Sequence, residues 1–117
     1  TSGKKITTMS NILANFLSVD LRVARIVQVE EFPEARKPAW KLTLDAGECG
    51  ELRTSAQTTN YGRDELLGRK VIAAVNLGSR QIANFMSNCL VLAAVNDEGV
   101  AHLLGVDDAA EPGDRVS

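Results

Sequence analysis

The chain has very little with which to move protons or hold a metal. It contains one histidine, two cysteines and no Cys-x-x-Cys pair. Cys49 and Cys89 are too few and too isolated for a zinc set. They read as a turn thiol and a core thiol, since an unpaired cysteine behaves as a small hydrophobe. His102 lies in an alternating strand-like segment with no acid or nucleophile at motif spacing, which argues against general acid–base catalysis. Aromatic residues make up only 4% of the sequence. No apolar run approaches the roughly 20 residues a membrane-spanning helix needs, and no signal-peptide pattern follows Lys4 and Lys5. A cytoplasmic protein without membrane insertion, metal, cofactor or catalytic residues is the expectation.

What is present is a folding core and an uneven distribution of charge. A chain of 117 residues fits one domain and can bury about two-thirds of its unfolded surface. Residues 1–8 are expected to be a disordered lead or expression remnant, with a single domain over 9–117. The formal net charge is −2. Between Arg53 and Leu90 stand five cations (Arg53, Arg63, Arg69, Lys70, Arg80) and two acids (Asp64, Glu65); beyond Leu90 acids dominate. A basic face with an acidic end suits an oriented electrostatic footprint.

The apolar spacing predicts the elements. Met9, Ile12, Leu13, Phe16 and Leu17 form a helical stripe. The helix is short and marginal alone, so it must pack on the domain or on another copy. From Leu21 the period changes to two, with Ile26 breaking strict alternation and pointing to a bulge. A proline-punctuated loop, Phe32 to Pro38, precedes a half-buried strand from Trp40 to Asp45. Residues 46–50 read as a hairpin turn and Leu52 to Ser55 as a third strand. A short helical piece, Asp64 to Leu67, is stopped by Gly68. Lys70 to Val75 is a buried fourth strand, Leu90 to Val95 a fifth, and Val100 to Leu104 returns antiparallel to it. An all-β chain of five or six strands with a helix between the third and fourth fits a five-stranded OB-fold barrel. An SH3-like barrel or a sandwich has a similar strand count, but the helix placement favours the OB-fold.

The segment from Asn76 to Ser87 joins the fourth and fifth strands. It is polar, carries Arg80, several amides and a hydroxyl, and has no acid. Such a loop can grip a phosphate, a ribose or a peptide backbone.

Asp20-Leu21-Arg22-Val23-Ala24-Arg25-Ile26-Val27 resembles the opening strand of the tRNA-binding domain family. Glu30 to Ala39 and Thr54-Ser55-Ala56-Gln57 are similar to its CsaA-like members in particular. Asn76 to Ala83 and Phe85-Met86-Ser87 resemble a third family motif. Two positions depart from the pattern: Ser79 stands where proline is usual and Asn84 where glycine is usual. The resemblance implies an OB-fold that binds the outside of tRNA or another structured RNA by shape, and a homodimer joined through the stripe Met9, Ile12, Leu13, Phe16 and Leu17 and the C-terminal segment.

On the matching positions Arg80 is the expected phosphate ligand, with Asn76 and Ser87 on ribose or phosphate oxygens. Asn76 has a second reading as a tie to the backbone. Ser55 and Gln57 are expected on the same face, with Arg25, Lys41 and Arg53 extending the basic track. The resemblance also implies an alternative activity: an export-related chaperone for unfolded or precursor proteins, and so contact with export machinery. For that role Phe85, Met86 and Phe32 are the candidate apolar contacts.

Overall fold

The computed structural model describes residues 11–117. Met9 and the lead over residues 1–8 lie outside that range. A first helix, α1, covers residues 11–18. It is followed by the long strand β1 (Leu21–Glu31), then β2 (Trp40–Asp45), β3 (Glu51–Ala56), the one-turn helix α2 (Arg63–Leu66) and β4 (Lys70–Ala74). Six short strands complete the chain: β5 (Arg80–Ile82), β6 (Phe85–Ser87), β7 (Leu90–Val91), β8 (Ala93–Val95), β9 (Ala101–Leu103) and β10 (Arg115–Val116).

β1 organises the sheet. Its first half pairs antiparallel with β4, Leu21 opposite Ala74 and Arg25 opposite Lys70. Its second half pairs with β2, and the register shifts between Ile26 and Gln28. That irregularity is the bulge expected where Ile26 interrupts the alternation, and it lets one strand bend from one partner to the other. β10 adds to the start of β1, Leu21 opposite Val116. The sheet order β3-β2-β1-β4-β7 is nearly closed. Across the remaining gap the Asn88 amide donates to the Arg53 carbonyl at 2.9 Å, and the Arg53 amide donates to Asn88 Oδ1 at 2.8 Å. This five-stranded antiparallel barrel with two short helices is an OB-fold.

The core lies inside the barrel. Ala24, Ile26, Leu42, Leu44, Leu66 and Val71 are fully enclosed in it. Leu66 is the one buried residue of α2. The Glu65 carboxylate accepts the Gly62 N–H at 2.9 Å and helps start the turn. Gly68, at φ +84°, turns the chain out of it in a conformation glycine adopts without steric cost. Gly47 is needed for another reason: a Cβ there would sit 2.3 Å from the Pro112 carbonyl oxygen. The C-terminal segment thus presses directly on the β2–β3 turn. Arg22 holds the same junction, with Nε 2.6 Å from Asp20 Oδ1 and Nη1 3.0 Å from both Glu48 Oε1 and the Gly113 carbonyl.

Three features differ from the sequence-based expectation. The segment read as a polar loop contains the hairpin β5–β6, with Ile82 opposite Phe85. The expected fifth strand is divided: β7 stays with β4, whereas β8 pairs with β9 in a separate ribbon. The expected return strand is therefore present, but outside the main sheet. The third concerns α1. Ile12, Leu13, Phe16 and Leu17 keep 46–64% of their surface exposed, so the stripe does not pack on the barrel.

Candidate nucleic-acid interface

A cleft of about 800 Å³ opens where three segments meet. One wall is the β1–β2 loop, which brings Arg36 and Lys37. The opposite wall is the β4–β5 loop and hairpin, which brings Leu77, Arg80 and Ile82. The end of β3 and the β6–β7 junction supply Thr54, Ser55, Gln57, Ser87 and Cys89. Three cations line this cleft against one carboxylate, Glu34.

Arg36, Lys37 and Arg80 are all exposed. None makes an ion pair among the described residues, where the only ion pairs are those of Arg22. Their donors are free for an anionic ligand. The base of the cleft is polar but self-contained. Ser87 Oγ lies 3.2 Å from Thr54 Oγ1 and donates toward the Cys89 carbonyl at 3.3 Å, and Thr54 Oγ1 donates to the Ser55 carbonyl at 3.2 Å. Burial pushes the Cys89 thiol up to about 11, partly offset by its hydrogen bond with Thr54. It therefore stays a neutral thiol.

Of the eight residues expected to meet RNA, Ser55, Gln57, Arg80 and Ser87 meet in this cleft. The other four are placed differently. Asn76 spends its amide on the α1–β1 junction: Oδ1 accepts the Asp20 N–H and Nδ2 donates to the Ser18 carbonyl, both at 2.8 Å. Lys41 and Arg53 share a face of β2–β3 with Ser55, since Lys41 is directly opposite Ser55 and Arg53 opposite Thr43. Their heads rest over rings, Lys41 Nζ 5.0 Å from the Phe32 centroid and Arg53 Cζ 4.6 Å from that of Phe85.

Arg25 lies in another cleft, of about 600 Å³, with Arg69 and Lys70. There Lys70 Nζ donates to the Asp108 and Ala110 carbonyls at 2.7 and 2.6 Å. Arg69 donates to the Glu65 carbonyl and lies 4.8 Å from the Tyr61 ring.

The apolar contacts need correction. Phe32 and Phe85 are 4% and 3% exposed and meet edge to face at 5.5 Å. β6 alternates, so Phe85 and Ser87 turn inward and Met86 outward. Of the three, only Met86 is open to solvent, at 49%. Sequence reasoning missed Arg36 and Lys37 as cleft residues. The signal is a basic pair between Pro33 and Pro38, inside the segment Glu30 to Ala39 that resembles CsaA-like members. Leu77 and Leu90, also lining the cleft, were not singled out either.

Residues 21–115 match the family described as "Putative tRNA binding domain". The chain belongs to the tRNA-binding domain family. A methionine–tRNA ligase of Sorangium cellulosum is 46% identical over 87% of this chain, but the match covers 14% of that ligase. A second, from Bdellovibrio bacteriovorus, is 39% identical over 88% of the chain and 15% of its own length. The chain thus spans about a seventh of these enzymes. Among solved structures, the CsaA chaperone protein of Picrophilus torridus is 45% identical, with a TM-score of 0.84 over 90% of this chain and 97% of that one. The CsaA chaperone of Bacillus anthracis is 38% identical, with a TM-score of 0.85 over 90% and 96%. This chain is therefore a CsaA-like tRNA-binding domain. Of its two departures from the family pattern, Ser79 lines the cleft and Asn84 does not. Ser79 is exposed in the β4–β5 loop. Asn84 is the second residue of the β5–β6 turn, and the positive φ, +52°, falls on Ala83 before it.

Proposed function

We propose that this chain binds structured RNA, tRNA first of all, as a homodimer in the cytoplasm and without catalysing a reaction. The observation that carries the reading is the cleft rim: Arg36, Lys37 and Arg80 converge there with their donors uncommitted. Guanidinium and ammonium groups so placed suit phosphate oxygens. Family membership supports the same partner. The homodimer rests on the stripe of α1, which its own barrel leaves about half exposed; a second copy would bury it. Light scattering would report a dimer mass for the wild type and a monomer for Phe16→Asp.

The deciding experiment is a tRNA mobility shift across a salt series. Neutralising phosphates releases counterions, so affinity should fall steeply as salt rises. Arg80→Ala should weaken binding and flatten that slope by about one unit. Failure to bind tRNA at low salt would remove the reading.

A second reading is an export-related chaperone for precursor proteins. Exposed Met86, Leu77 and Leu90 favour it, as does the chaperone description of the two structural relatives. Peptide binding through such side chains would depend weakly on salt, which separates the two activities in one titration.

A further inference from the structure

We propose that the cleft between the β1–β2 loop and the β5–β6 hairpin admits one unpaired nucleotide of the bound RNA, base inward. The inference rests on the RNA-binding reading above. Its starting point is depth. Thr54, Ser87 and Cys89 at the base of the cleft are 2%, 8% and 7% exposed, so the rim cations stand above a recessed floor. An RNA helix presents its phosphates on a convex surface, which rim cations can hold without any recess beneath them. A volume of about 800 Å³ lies within the roughly 300–1,000 Å³ typical of sites that enclose a small molecule. Something that protrudes from the helix is needed to use it.

The lining suits a base. Leu77, Ile82 and Leu90 offer apolar surface to its faces, and the planar guanidinium groups of Arg36 and Arg80 can stack on a base as well as meet a phosphate. Gln57 is exposed and its side-chain amide makes no hydrogen bond among the described residues. It therefore offers a donor and an acceptor side by side, the pattern that reads a base edge. The Ser55 hydroxyl stands on the same wall. No carboxylate lies at the floor, and Glu34 on the outer loop is the only acid lining the cleft. No aromatic ring lines it either, so the site lacks the stacking platform that holds a run of single-stranded bases. One extruded nucleotide fits this chemistry better than an extended strand.

The test compares two fluorescent RNA hairpins with the same stem, one fully paired and one carrying a single unpaired nucleotide. Anisotropy titrations use the full chain. The bulged hairpin is expected to bind about tenfold more tightly, the scale of one bidentate contact to a base edge. Gln57→Ala should cut that ratio several-fold, and 4-thiouridine at the bulge should crosslink to the cleft segments in the wild type. Gln57 is exposed, so its replacement leaves the core intact. Equal affinity for the two hairpins would overturn the nucleotide site while leaving RNA binding in place. Loss of binding to both, with an apolar peptide bound instead, would overturn both.

Discussion

The two clefts carry the same kind of charge and use it in opposite ways. Arg36, Lys37 and Arg80 line the first; Arg25, Arg69 and Lys70 line the second. In the second, Lys70 is tied to two carbonyls and Arg69 to a carbonyl and a ring, which leaves Arg25 alone with uncommitted donors. In the first, none of the three is tied. A basic residue type therefore says little about ligand binding. What matters is whether the fold has already consumed its donors, because a charge that holds its own backbone has little left to gain from a phosphate.

This contrast makes stability the variable at the second cleft and affinity the variable at the first. The largest effect is expected at Leu66, which is fully buried beside Glu65 and Leu67 of the second cleft. Leu66→Ala should cost about 2–5 kcal/mol, from lost burial and the cavity left behind; urea unfolding measures it. A loss under about 1 kcal/mol would show that α2 does not support that side of the barrel. Next, Lys70→Met removes two charge-assisted hydrogen bonds and should cost about 1–2 kcal/mol with RNA affinity nearly unchanged. Strong loss of RNA binding in a stably folded Lys70→Met protein would erase the distinction between the clefts.

At the first cleft the order reverses. Replacing Arg36 and Lys37 together with alanine should leave the unfolding midpoint within about 0.5 kcal/mol of wild type and reduce the salt slope of tRNA binding by about two units. The smallest effect concerns a cation of the structural kind, Arg22. Its hydrogen bond holds the Asp20 carboxyl below the usual value of 3.8. A carboxylate with a lowered folded pKa stabilises above its unfolded pKa and loses that contribution as pH falls through the folded one. Asp20→Asn should therefore be slightly less stable than wild type at neutral pH, and the two curves should converge as acid protonates the Asp20 carboxyl. A gap that persists in acid would point to something other than the Arg22 charge.

The barrel was legible wherever residues alternate for long enough. Leu42 and Leu44 between Lys41, Thr43 and Asp45 define β2 by period alone, and the break at Ile26 marks the bulge. The hairpin β5–β6 gave no such signal. Each strand is three residues long, and Phe85 looked exposed because its neighbours are polar, although alternation through Met86 turns it inward. β10 was invisible for a similar reason: two residues pair with β1 only because the barrel carries the chain back to them. The site was half legible. Arg80, Ser55, Gln57 and Ser87 stand in segments that resemble family motifs, and they meet in space. Arg36 and Lys37 join them only through the path of a loop, and Arg25 leaves them because β1 bends between its partners.

That bend bears on how the molecule opens. The first half of β1 is hydrogen-bonded along both of its sides, by β4 and by β10 with Gly113 and Asp114, whereas the second half pairs with β2 and gains bonds from Gly68 and Arg69 at Ile26 alone. Amides at the bend itself should be the last to take up deuterium in heavy water. Val23, clasped by Gly113 and Asp114, should become labile as soon as the final few residues peel away, whereas Ile26 should hold its proton until the whole cylinder comes apart.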